Sequence, residues 1–220
     1  MKAPMMRKLA AWACGAAVYA TMTTANATAP LYLQAPVNMG DGAGASTDFG
    51  QQVSDSFSLS TPATITNIFW WGSYLDNLDV GDDFHLRIFN STVTRDFYPV
   101  ALSEKKVSML EDAMQNSVYH YEFAPPIAED LVAGTYNLLI ENLGDSEWLW
   151  LSGEATPSSQ NGISVRTYDT AWMSDTSISN LAFGLSGTPS QSVPEAGSLA
   201  LVLLGCAGLG MAGRRGKPAQ

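Results

Sequence analysis

Over residues 51–187 the chain is a succession of short runs in which apolar and polar residues alternate, separated by turn residues. Val53-Ser54-Asp55-Ser56-Phe57-Ser58-Leu59 alternates until Thr61-Pro62 stops it. Successive side chains on a strand point to opposite faces, so a period of two marks a sheet with one buried face. Residues 63–71 are dense in Ile, Thr and aromatic side chains, which suit a pleated, packed surface. In the run 84–89, Phe84, Leu86 and Ile88 face one way, while His85 and Arg87 face the other. Runs at 118–123, 135–140, 148–151, 163–168 and 181–185 continue the series, with Gly, Asp, Asn and Pro between them. The pattern predicts an all-β fold over 51–187, an antiparallel β-sandwich of jelly-roll-like form. Only residues 104–115 offer a helical alternative. Residues 28–50, rich in Ala, Gly, Pro and Thr, read as a linker or loose first strand, and 188–192 as a polar stalk.

Both ends break this pattern. Lys2, Arg7 and Lys8 precede an apolar stretch at 9–22, which is too short and too rich in small residues for a membrane span. Ala25-Asn26-Ala27 follows with the small-x-small form of a cleavage site. Residues 1–27 therefore read as a secretory signal peptide, cut by signal peptidase after Ala27 to leave Thr28 as the first residue. At the other end, Val193-Pro194-Glu195-Ala196 opens a second device, residues 193–220. The uncharged run 196–213, as a helix, spans about 27 Å, enough to cross a bilayer. Arg214, Arg215 and Lys217 close it and would hold that end on the cytoplasmic side. The domain would then face outward, as the signal peptide also requires.

This order of parts, over residues 193–217, resembles the PEP-CTERM sorting tail of Gram-negative bacteria. There a Pro-Glu-Pro signature precedes a short membrane helix and an Arg-rich end. Pro194 and Glu195 fall on the first two signature positions, and Ala196 stands in place of the second proline. The resemblance implies an exosortase-like membrane enzyme that recognises and cuts near the signature. It would convert an inner-membrane-anchored precursor into a protein of the cell surface, outer membrane or extracellular matrix, in species that make extracellular polysaccharide. More loosely, the middle of the chain resembles the β-sandwich domains found upstream of such tails. That likeness rests on Trp70-Trp71-Gly72, the 84–89 run with Asp83, Gly134-Thr135-Tyr136, the Trp148/Trp150 pair and Leu181-Ala182-Phe183. It implies a fold and no activity.

Charge narrows the choice of partners. Residues 28–192 carry five basic side chains (Arg87, Arg95, Lys105, Lys106, Arg166) against 20 acidic ones, a formal charge of −15. Such a surface repels phosphate backbones, which excludes nucleic acid as a partner, and attracts divalent cations. Cys14 and Cys206 both lie in the terminal runs, so the domain has no disulfide, thiolate metal site or cysteine nucleophile.

Candidate chemistry is sparse. Asp76, Asp79, Asp82 and Asp83 cluster in one loop and could supply oxygen ligands to calcium. Their spacing is not that of an EF-hand, and a solvated hairpin turn needs the same residue types. Trp148 and Trp150 share one strand face. With Trp70 they are candidates for stacking on sugar rings, unless the indoles fill the core. Trp70 and Trp71 point to opposite faces. His85 and His120 fall on polar phases, and neither completes a zinc motif. There is no G-x-S-x-G elbow and no phosphate-cradling glycine loop, so no catalytic residue is assigned. A pair of distant carboxylates for glycoside hydrolysis is the enzymatic alternative. The expectation is a non-enzymatic surface or matrix protein with a structural or interaction role. The alternatives are a carbohydrate (exopolysaccharide)-binding module, a calcium-stabilised adhesin and an ice-binding protein. The last draws on tails of this kind on some ice-binding proteins, although Thr-x-Thr arrays are absent here.

Overall fold

The alternating runs become strands. The computed structural model describes residues 29–76, 81–155, 162–168, 170–178 and 180–190. The expected signal peptide, the sorting tail with its helix, and Asp79 lie outside the described residues. In chain order the strands are β1 (Tyr32–Gln34), β2 (Gly42–Gly44), β3 (Gln51–Leu59), β4 (Ala63–Tyr74), β5 (Phe84–Phe89), β6 (Thr94–Phe97) and β7 (Glu104–Glu111). Then come β8 (Ser117–Phe123), β9 (Glu129–Leu131), β10 (Gly134–Asn142), β11 (Trp148–Leu151), β12 (Ile163–Thr167), β13 (Met173–Asp175) and β14 (Phe183–Pro189). A 3-10 turn, Thr47–Phe49, is the one helical element among the described residues.

Two antiparallel sheets result. The first is centred on β4, with β14 and β11 along one side and β9 and β8 along the other. Outside these lie β1 on β14, β2 on β11 and β7 on β8. The second sheet runs β13-β12-β3-β10-β5-β6. Their inner faces share one core, with Ile68, Trp70, Tyr121, Trp148 and Phe183 from the first sheet meeting Phe57, Phe84, Leu86, Tyr136 and Leu138 from the second. Phe84 joins the layers edge-on, with its ring centroid 5.2 Å from that of Trp70 and 5.1 Å from that of Trp148. Such contacts contribute about 0.5–1.5 kcal/mol each beyond area burial.

One irregularity sets which indole is inside. On β4 the buried phase begins at Ala63 and Ile65 and then changes to Ile68 and Trp70. Pairing with β14 slips between Ser186 and Gly187, and the extra residue on β4 reverses the phase. Trp70 is therefore inward and Trp71 outward. Two positions further on, Gly72 lies against the Trp148 ring, and a Cβ there would stand 2.2 Å from a ring carbon.

The structure decides between alternatives at two places. Residues 104–115 are not helical. Glu104–Glu111 form β7, an edge strand paired with β8, and strand pairing overrides the local helical spacing. Charges at Glu104, Lys105 and Lys106 suit an edge, where they discourage further strand addition. Residues 29–50, read as a linker or loose first strand, hold two paired strands. β1 and β2 are both paired, and Gln34 and Ala45 are fully buried.

The topology also gives the sandwich two distinct poles. Ser190 at the outgoing end hydrogen-bonds Pro62 beside the start of β4, and Leu31 at the incoming end bonds Leu185 on the neighbouring strand. Both chain ends therefore leave toward one pole. The far end of β4, at Tyr74 and Leu75, lies on the order of 35–40 Å away along the strand.

Candidate functional site

The three tryptophans singled out for sugar stacking are all inside. Trp70, Trp148 and Trp150 have no exposed surface, and the Trp150 indole N–H donates to the Ala182 carbonyl at 2.9 Å. They are core residues, which corrects their candidacy as a carbohydrate platform. The shared face of Trp148 and Trp150 is as expected, but β11 is apolar on both sides. On its other side, Leu151 packs with Val118 and Ala182 in a second buried cluster, against which Trp71 rests. Trp71 is half-buried and braced by His120, 4.8 Å between ring centroids, and by Phe69 at 5.6 Å.

The acidic loop is partly answered from within the chain. Asp82 pairs with Lys105 at 2.6 Å and accepts the Tyr74 hydroxyl. Asp83 accepts the Tyr98 hydroxyl at 3.2 Å, and its own N–H donates to Asn142. Asp76 is exposed. Among the described residues no three acidic or histidine side chains gather around one point where a metal would sit.

Instead, the densest chemistry lies on the outer face of the second sheet, where neighbouring strands set Arg166, Gln52, Glu141 and His85 in one row. Glu141 is only 1% exposed although it faces outward. Tyr168 donates its hydroxyl to it, Gln52 Nε2 donates at 2.8 Å, and His85 Nδ1 stands 3.7 Å away. His85 Nε2 also lies 3.1 Å from Asp96, which accepts Arg87 Nε at 2.5 Å. Arg166 donates twice to Gln52 Oε1, at 2.8 and 2.6 Å, and its guanidinium sits 4.6 Å over the Trp172 ring. Trp172 in turn stacks on Phe89. At the other end of the row Tyr98 is 57% exposed, edge-on to His85.

Electrostatics follow from these partners. The Glu141 contact, against the cost of burial and with help from Asp96, holds the His85 pKa above its ordinary value. Burial alone would raise Glu141, but hydrogen bonds from His85, Tyr168 and Gln52 outweigh it and the carboxyl is held low. Asp96 is also lowered, because Arg87 and His85 overcome its burial. His120 moves the other way from His85, since burial disfavours its charged form more than Glu122 favours it. The row is thus a chain of side chains tied together in pairs, with the exposed Tyr98 at one flank and the half-buried Trp172 packed against Arg166 and Phe89.

At the pole opposite the chain ends lies a cleft of about 420 Å³, walled by Gly40, Asp41, Leu75, Asp112, Leu149 and Ile178. One wall is organised by Asp112, which is 1% exposed and accepts Ser73 Oγ at 2.7 Å and the backbone N–H groups of Met114 and Asn116. Neither the row nor this cleft was singled out from sequence. Its members lie far apart in the chain, and the residue types are those of any polar strand face. The chain matches no family model, and no curated protein or solved structure is significantly similar to it.

Proposed function

We propose that this chain is an exported protein of the cell surface or extracellular matrix with an interaction role, a jelly-roll-type β-sandwich carried between a signal peptide and a PEP-CTERM-type sorting tail. The observation that carries the reading is polarity. Both chain ends leave the sandwich at one pole, while the cleft bounded by Gly40, Leu75 and Ile178 opens at the other. A domain held by its tail in a membrane or matrix would present that cleft outward. Signal peptidase would act after Ala27, and an exosortase-like enzyme near Pro194-Glu195. Intact mass from fractionated native cells tests this. The expected species starts at Thr28, ends near residue 194 and lies outside the inner membrane. A cytoplasmic species retaining residues 1–27 would overturn export, and an inner-membrane species retaining residues 196–220 would overturn sorting.

A second reading, recognition of extracellular polysaccharide, now rests on the outer face of the second sheet. The polar row crosses from β12 to β5, about 15 Å wide, the span of a short oligosaccharide, with the exposed Tyr98 beside His85 and the half-buried Trp172 in contact with Arg166 and Phe89. Sugar recognition combines ring stacking with hydrogen bonds from polar side chains. Polysaccharide should quench the Trp172 fluorescence, and Trp172→Ala should abolish binding with the thermal unfolding transition retained. Binding that survives this substitution would remove the reading.

A further inference from the structure

Lys105 is unusual among the cations of the domain. It pairs in register with Tyr121, whose side chain lies in the core, so it shares that inward face. Its Nζ lies 2.6 Å from Asp82 Oδ2, and the Tyr74 hydroxyl donates to the other oxygen of the same carboxylate. The rings of Tyr119, Tyr74 and Tyr121 surround the nitrogen at 4.8, 5.5 and 5.5 Å. The Lys105 and Asp82 side chains are 21% and 9% exposed, whereas the next pair along the strand, Lys106 and Glu104, is 54% and 44% exposed. The second pair is an ordinary solvated contact. The first has been taken largely out of water, where holding two separate charges is costly.

We propose that Lys105 and Asp82 condense into an intramolecular amide that staples edge strand β7 to the segment leading into β5. Proton transfer across the contact turns ammonium and carboxylate into a neutral amine and acid. The Nζ lone pair then attacks Cγ, and the Tyr74 hydroxyl stays hydrogen-bonded to Oδ1 as negative charge gathers there. Oδ2 takes a proton from the new N–C adduct and leaves as water. One N–C bond forms, one C–O bond breaks, the two charges cancel and no oxidant is consumed. A nitrogen in contact with a carboxyl oxygen stands about 3–3.5 Å from the carboxyl carbon, the separation of a near-attack conformer. Hydrogen bonding to the developing oxyanion in a site poor in water favours the step further.

The position suits a staple. β7 has β8 as its one strand partner, is tied at its far end where Met39 N–H donates to the Glu111 carbonyl, and carries a register shift between Val107 and Glu111. Asp82 precedes β5, which belongs to the other sheet. The amide would close the sandwich at this edge in a domain that contains no cysteine.

Intact mass and peptide mapping of the purified mature chain decide the matter. The expected mass is one water below that of the sequence, with a branched peptide joining the Asp82 and Lys105 segments and no tryptic cleavage after Lys105. Lys105→Arg should restore the full mass and unfold at a lower temperature. A fully hydrated wild-type mass overturns the proposal. So does a missing water that maps to a linear peptide at Asp41-Gly42, where aspartyl cyclisation gives the same loss, or one that persists in Lys105→Arg. Should that variant fail to fold, the presence or absence of the branched peptide in the wild-type chain still decides.

Discussion

Asp55 is the residue at which the inner face departs furthest from an apolar rule. It lies on the inward phase of β3 between Val53 and Phe57 and is 1% exposed. Its carboxylate accepts the Leu181 N–H at 2.7 Å and the Ser56 N–H at 2.6 Å. Burial pushes its pKa up to about 7, and the hydrogen bonds from Leu181, Ser56 and Gln34 recover only part of that rise. The folded state therefore holds the proton more tightly than the unfolded chain, whose value is 3.8. This contribution is complete below that value, declines as the pH rises and is gone once the pH passes about 7. Wild-type stability should fall by roughly 4 kcal/mol from this group across the window. Asp55→Asn should flatten that slope while being less stable at pH 4 by about 1–3 kcal/mol, since one buried N–H loses its acceptor. Denaturant titrations at pH 4, 6 and 8 check both; a variant with an unchanged slope would refute the assignment. The histidines act at higher pH and oppose one another. The raised His85 adds stability that is lost as the pH climbs above 6.5, while the lowered His120 costs stability as the pH falls below it.

At the level of the strands, β5 shows what a sequence can disclose. A period of two reveals which residues share a face, so the inward set Phe84, Leu86 and Ile88 and the outward pair His85 and Arg87 were legible before the fold was known. Alternation does not say which face meets the core when both are apolar, and β11 is such a strand. Trp148 and Trp150 looked available for sugar, yet both they and their neighbours Leu149 and Leu151 are buried. The outer-face row was illegible for a different reason. Gln52, His85, Asp96, Glu141 and Arg166 meet only because β3, β5, β6, β10 and β12 lie side by side, and strand order is a long-range property. The carboxylates of the acidic stretch were legible, but not the internal cation that meets Asp82, because Lys105 arrives from another strand. Local packing on β4 gives a direct test. Gly72→Ala drives a methyl into the Trp148 ring, and the indole is fully buried. Overpacking of this kind should cost about 1–3 kcal/mol, read as a lower denaturation midpoint with an unchanged denaturant slope. An unaltered midpoint would mean that the ring moves freely.

For the molecule as a whole, charge sets the behaviour. Four of the five cations between residues 28 and 192 are paired with carboxylates: Arg87 with Asp96, Arg95 with Glu129, Lys105 with Asp82 and Lys106 with Glu104. Arg166 is held by Gln52 and Trp172. The excess of acidic groups therefore repels across the surface, and screening should relieve it. The melting temperature should rise between low salt and physiological ionic strength; a fall would show that the surface ion pairs outweigh the repulsion. The arrangement of β14 beside β4 has a further, mechanical consequence. If the outgoing end of β14 is anchored and the opposite pole grips a partner, the pulling axis lies along the strands. The hydrogen bonds that join β14 to β4 run across that axis, so they share the load in shear instead of parting one after another. A sandwich loaded in this direction is strongest along the line from tether to ligand and weakest when β14 is peeled sideways from its neighbour.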